Sequence, residues 1–319
     1  MRGSTEPTAA PPAPDHALAR PPRSRLAGLL GLAAVLVLAV GTVLQLAMPA
    51  PRPTSAPAGD FSADRAYRHV ARLGSAVHPV GSAATARNQR YILDTLRADG
   101  LSARMQDAVG RSGSLGDGTQ LAQVHNVVAR VPGSDPTGRV FLVAHTDSVR
   151  VGPGGSDDGA GSSTLLETAR ALAHGPRPRN DVVLVFTDGE EACLCGAAAF
   201  VGQDPLARGV ADRSVVLNVE ARGSRGPVIM FETSQRNAGL VDVFGEHAPH
   251  PLGTSFAVEV YRRLPNDTDF TMFREAGFAG LNSAYLDGSA VYHTPLDTPA
   301  AMDRGSLQEH GDNALALAR

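Results

Sequence analysis

Three apolar runs in this chain end in residues that have no place in a hydrophobic core. "VFLVAH" stops at His145, "DVVLVFT" leads through a short turn to Glu190 and Glu191, and "VVLNVE" stops at Glu220. Continuous aliphatic runs of this length read as strands buried on both faces, the situation of a parallel sheet covered by helices. Further β-rich runs are "HNVVARV", "PVIMFET" and "FAGLNSAY", and helical stretches lie between them. In residues 161–174, for example, Leu165, Leu166, Ala169 and Leu172 share one helical face. Alternation of this kind predicts an α/β fold with a mixed, mostly parallel central β-sheet flanked by helices on both faces. Open α/β sheets build their sites at the C-terminal ends of strands, where these His and Glu residues fall.

The N-terminal part has a different character. Residues 26–48, "LAGLLGLAAVLVLAVGTVLQLAM", carry no charge. At ~1.5 Å per residue they are long enough to span a hydrocarbon core of about 30 Å. Arg20, Arg23 and Arg25 precede the stretch and only Arg52 follows it closely. That asymmetry predicts a transmembrane helix with a cytoplasmic N-terminus and an extracytoplasmic C-terminal part. The alternative is a cleaved signal peptide, whose apolar region is usually shorter. Residues 1–25, rich in Pro, Ala and Arg, read as a disordered cytoplasmic tail. Residues 49–60 read as a Pro/Ala-rich linker holding the next domain off the membrane. A globular domain is expected over 61–319. Its first part holds two amphipathic helices, around Val70 and Leu73 and around Ile92, Leu93 and Leu96, interrupted by "HPVGS". With a formal net charge of -3, no basic field points to a nucleic-acid partner.

The polar residues can do specific chemistry together. In "AHTDS", Asp147 stands two residues after His145, a spacing at which a carboxylate can orient an imidazole for metal binding. "GGSDDGAGSS" places Asp157 and Asp158 in a glycine-rich turn before a helix. An N-cap of the helix is the commoner role of Asp there, and both roles can hold together if Asp158 supports the helix start while Asp157 faces a cation. "DGEEACLC" adds Glu190 and Glu191, "NVE" adds Glu220, and "YHTPLDT" adds His293. Any one of these alone would be unremarkable, and a single His is most often a satisfied core residue. Together His145, Asp157, Glu191, Glu220 and His293 supply two imidazoles and three carboxylates, a mixture suited to zinc. Two divalent ions carry four positive charges, which three carboxylates and a bridging hydroxide would balance. Glu190 is then the surplus carboxylate, free to act as a base.

This ordered pattern (His-x-Asp, Asp, Glu-Glu, Asp or Glu, His) resembles that of the M28 family of co-catalytic zinc peptidases, over roughly residues 61–319. The resemblance implies a zinc-peptidase-like sheet and two Zn2+ ions per chain. It implies that Asp157 bridges the ions, that His145 and Glu220 hold one, and that Glu191 and His293 hold the other. Glu190 would be the general base, Asp147 would support His145, and Asp269 in "DTDFTMF" would lie at the floor of the site. A cis peptide is implied between Asp157 and Asp158. "NVEARGSRGPVIMFET", "NDTDF" and "YHTPLDT" are similar to the membrane-bound branch of endoplasmic reticulum metallopeptidases and vacuolar membrane proteases. Those proteins continue into further transmembrane helices. This sequence stops at "GDNALALAR", without a helix stop signal, as a truncated or single-pass version would.

The expected function is thus a membrane-anchored zinc exopeptidase, an aminopeptidase acting on peptide substrates. Two alternatives stand beside it: a glutaminyl-cyclase-like enzyme with a single zinc, and an inactive tethered binding module. The related M20 metallocarboxypeptidases insert a lid domain before the last His, and the 72 positions between Glu220 and His293 leave no room for one. Cys193 and Cys195 stand where the family often has Gly-Leu-x-Gly. From sequence they are either buried thiols or a disulfide across one residue, with metal binding the least favoured reading.

Overall fold

The computed structural model describes residues 25–45, 47–113 and 118–319. The cytoplasmic tail expected over residues 1–25 lies outside them except for Arg25. Helix α1, Arg25–Gln45, stands as a unit by itself. Its span Arg25–Val43 is long and apolar enough to cross a membrane, with a mean hydropathy of 2.5. Its large aliphatic side chains, Leu29, Leu36 and Val37 among them, are exposed.

Residues 47–319 form the second unit. It opens with helices α2 (Ala63–Leu73) and α3 (Ala83–Ala98), each N-capped by a serine, Ser62 and Ser82, whose hydroxyl accepts a first-turn N–H. Strands β1 (Ser102–Ser112), β2 (Gln120–Val131) and β3 (Arg139–His145) follow. Next come α4 (Gly159–His174), β4 (Asp181–Thr187), the single turn α5 (Glu190–Cys193), α6 (Cys195–Gln203) and β5 (Ser214–Ala221). The chain closes with β6 (Arg225–Thr233), α7 (Ala238–His247), α8 (Ser255–Tyr261), α9 (Asp269–Glu275), β7 (Ala279–Asp287) and α10 (Arg304–Ala318).

The seven strands form one sheet in the order β1-β2-β4-β3-β5-β7-β6. The four central strands, β4-β3-β5-β7, are parallel, while β1, β2 and β6 pair antiparallel at the edges. Successive side chains of a strand point to opposite faces. Leu142, Ala144, Leu184 and Phe186 therefore pack on Leu165, Leu166 and Leu172 of α4. Phe141, Val143, Val183 and Val185 pack on Phe200 of α6 and on Phe270 and Phe273 of α9. Phe141 meets Phe200 and Phe278 edge-on, with ring centres 5.9 and 5.5 Å apart.

The side on which successive strands are added reverses at β3. The crossover through α4 leads to β4 on one side, and the return through α6 leads to β5 on the other. This is the topological switch point, where a crevice opens beyond the strand ends.

Two features differ from expectation. β1 carries no readable hydrophobic alternation, because the positions it turns inward are Ala103, Gln106 and Gly110. A Cβ at Gly110 would lie 1.9 Å from the carbonyl oxygen of Cys195, so packing there demands glycine. The segment 49–60, expected as a free spacer, instead runs along the domain. Arg65 donates to the carbonyls of Thr54, Ala56, Pro57 and Asp60, and Arg170 donates to Ala58 and Asp60. Glu167, fully buried beneath, holds both arginines at 2.7 Å. Exposed backbone carbonyls of a Pro-rich stretch are good acceptors for guanidinium forks, which is why the stretch docks.

Candidate metal centre

The last residue of β3, His145, projects into the crevice with its Nδ1 2.9 Å from the backbone carbonyl of Asp147. A carbonyl can only accept, so Nδ1 carries the proton and Nε2 is left as a lone-pair donor. Nε2 lies 3.1 Å from Oδ1 of Asp157 and 3.9 Å from Oε2 of Glu220. The Asp147 carboxylate is 3.8 Å from Nδ1 and accepts the Glu190 N–H at 3.0 Å. Support for His145 thus comes from the Asp147 main chain, and the Asp147 side chain fixes the start of the Glu190 turn.

Asp157 and Asp158 divide their work across a cis peptide bond. Asp158 caps α4, accepting the Gly161 N–H at 2.8 Å with one oxygen and the His145 N–H at 3.2 Å with the other. With both oxygens occupied by backbone donors, it is a poorer ligand than its neighbour. Asp157 turns into the crevice, its Oδ1 toward His145 and its Oδ2 3.1 Å from Nε2 of His293. Its backbone, and that of Ser156, is held by Asp297, which accepts the two N–H groups at 3.0 and 2.8 Å.

Gly189, at φ 73, makes the sharp turn out of β4 that presents Glu190 and Glu191 at the rim. Glu191 Oε2 is 3.0 Å from His293 Nε2, while its Oε1 is buried without a hydrogen-bond partner. His293 arrives from the other side at φ 56, stacked 3.8 Å above the Tyr292 ring. Asp269, first residue of α9, is buried below and accepts from the Thr187 hydroxyl. Cys193 and Cys195 are joined in a disulfide over Leu194, and Cys193 lines the same cavity.

The electrostatics follow from crowding acids in a dry place. Burial pushes Glu190 well above the ordinary carboxylate range, helped by Glu220, Asp269 and Glu191. Burial also raises Glu220 to about 7, with Asp157 and Asp269 adding to it. For His293, burial alone would lower the pKa, but hydrogen bonds to Asp157 and Glu191 overrule it and hold the ring at about 9. Burial equally opposes the charge on His145, and Glu190, Asp157 and Glu220 raise its pKa well above normal regardless. A cation placed among these groups relieves their repulsion. Two imidazoles, several desolvated carboxylates and an orphaned Glu191 oxygen fit a borderline divalent ion such as zinc.

The sequence offered the candidate ligands but gave no sign of Asp297, although "YHTPLDT" contains it, or of Arg222, which lines the same cavity as Glu190. An Asp that serves only backbone N–H groups has no spacing signal of its own.

Residues 126–318 match peptidase family M28. The chain is 34% identical over 199 residues to endoplasmic reticulum metallopeptidase 1 of Rattus norvegicus, a match covering 61% of this chain and 22% of that protein. It therefore spans only about a fifth of that curated relative. Among solved structures, glutaminyl cyclase of Porphyromonas gingivalis superposes with a TM-score of 0.65 at 22% identity, covering 81% of this chain and 98% of that one. A zinc aminopeptidase of Bacillus subtilis superposes with a TM-score of 0.63 at 16% identity, covering 81% and 94%. At these identities the two structures speak for the fold alone.

Proposed function

Since this chain belongs to peptidase family M28, we propose that it is a zinc exopeptidase, specifically an aminopeptidase, tethered to a membrane by α1. The observation that carries the reading is the position of Asp157, with one carboxylate oxygen 3.1 Å from each of the two imidazoles. In this reading Asp157 would be shared by two zinc ions, with His145 and Glu220 holding one and Glu191 and His293 holding the other. Zinc held there supplies an activated water and polarises the scissile carbonyl.

The remaining chemistry belongs to the chain. Glu190 takes a proton from the attacking water and returns it to the leaving amine. Asp147, through the Glu190 N–H, holds that carboxylate at the rim. Asp269 and the buried strand ends keep bulk water from the floor. Arginines 20, 23 and 25 on the N-terminal flank of α1 favour a cytoplasmic N-terminus and an extracytoplasmic peptidase domain.

The test is Glu190→Gln. It is expected to bind two zinc ions per chain and to lose about 10²–10⁴-fold in kcat on aminoacyl arylamides. Full activity in this variant would sink the mechanism. A firm count of one ion, with ammonia released from Gln-initiated peptides, would turn the reading to glutaminyl cyclisation. A zinc-loaded wild type that cleaves no peptide in a broad panel would leave a tethered binding module.

A further inference from the structure

The cavity in front of the metal centre has a volume of about 750 Å³, and Glu190, Glu191, Tyr292, His293 and Arg222 line it. Arg222 is the first residue after β5, two positions beyond Glu220. Its main-chain N–H donates to the Tyr285 carbonyl at 3.1 Å, which fixes the root of the side chain. The guanidinium lies between two aromatic rings, Tyr261 and Tyr292, its carbon 5.5 Å from each centre. With the Asn266 amide turned oxygen-inward, its carbonyl accepts from both terminal nitrogens. Nε is buried with no hydrogen-bond partner. Among the described residues no carboxylate comes within ion-pairing distance of this guanidinium, whereas Arg262, Arg274 and Arg304 each have one.

A half-buried guanidinium without a counter-ion is an unbalanced arrangement. Without metal, the field of Glu220 and Asp157 partly offsets the Arg222 charge. Once cations take up those carboxylates, that compensation goes and Arg222 is left facing the cavity as a fixed, planar, fork-shaped donor. Such a fork matches a carboxylate in shape and charge, and the aromatic faces hold it still for that purpose. Asp267 and Glu275 also line the cavity and repel an anion from their part of it, so the place for a negative group is beside Arg222.

We propose that Arg222 is a specificity residue that binds a substrate carboxylate close to the scissile bond, so that the site favours either dipeptides with a free C-terminus or peptides with an acidic side chain at that bond. The proposal rests on the peptidase reading above. A guanidinium in contact with a carboxylate in a partly dry cavity is worth about 10- to 100-fold in selectivity.

The experiment uses the full-length zinc-loaded protein in detergent and two substrate pairs. Leu-Ala against Leu-Ala-amide tests a terminal carboxylate, and Glu-Ala-amide against Gln-Ala-amide tests an acidic side chain. One pair should show about a 10- to 100-fold preference in kcat/KM for the charged member, mainly through KM. Arg222→Met should collapse that ratio toward one, and Arg222→Lys should keep part of it. The proposal is overturned if wild type shows no preference in either pair, or if Arg222→Met slows both members equally and keeps the ratio, as a merely structural role would. Equilibrium dialysis of the same four compounds on zinc-loaded Glu190→Gln separates the two readings. If nothing is cleaved by wild type yet a charged member binds preferentially through Arg222, the peptidase reading fails and the carboxylate site stands. Equal binding of charged and neutral members overturns the carboxylate site on its own.

Discussion

At the scale of single residues, the centre depends on groups that never touch an ion. Asp297 holds the main chain of Ser156 and Asp157 through two N–H···O bonds, and so fixes where the central carboxylate points. Asp297→Ala leaves two N–H groups without an acceptor and frees Asp157 to turn away. Zinc affinity is expected to fall about 10- to 100-fold, read by chelator competition, with the circular dichroism of the fold retained. An unchanged affinity would show that Asp157 is held by other means. The five proposed ligands could be picked out of the sequence because each follows an apolar run or sits in a compact polar motif. Asp297 was not, since its role is visible only once the loop after His293 folds back on the turn before α4. Arg222 was hidden for a similar reason. "EARGSRG" offers two arginines, and only the fold tells that Arg222 faces the cavity while Arg225 is exposed.

At the scale of elements, the parallel core strands were readable from their unbroken aliphatic runs, α2 and α3 from periodicity, and α4 from periodicity and its Asp158 cap. β1 escaped because its inward positions are small or polar, so its pairing with β2 is decided by packing rather than pattern. α10 shows packing deciding in another way. Gly311, in mid-helix, receives the Phe61 ring, and a Cβ there would lie 2.1 Å from a ring carbon. Phe61 is fully buried and cannot move aside. Although alanine normally favours a helix over glycine, Gly311→Ala is expected to destabilise the domain by about 1–3 kcal/mol in chemical denaturation. A stabilised variant would show that the ring can move.

At the scale of the whole molecule, folding gathers acids that repel one another. Without metal, Glu220 and Asp147 are both raised to about 7, with burial the main cause in each case. Between their ordinary values near 4 and that point, the folded state binds more protons than the unfolded chain. The contribution of these two acids to metal-free stability therefore falls as pH rises through this window. A zinc ion held by the Glu220 carboxylate would favour its charged form and so reduce that penalty. The gain in Tm on adding zinc should thus be larger at about pH 7.5 than at about pH 5.5, measured by paired thermal melts. Equal gains would mean that the acids and the metal are not linked.

His145 and Glu220 sit at strand ends fixed by the register of β3, β4 and β5, whereas part of the cavity wall comes from connecting segments, among them Gly113, Gly118 and residues 265–267. A one-residue insertion within a central strand would exchange His145 or Glu220 for a neighbour pointing to the opposite face. The same insertion in a wall segment leaves the donors where they are. Heritable change in this architecture is therefore channelled: the cavity wall can vary from one descendant to the next while the residues gathered at the strand ends stay where they are.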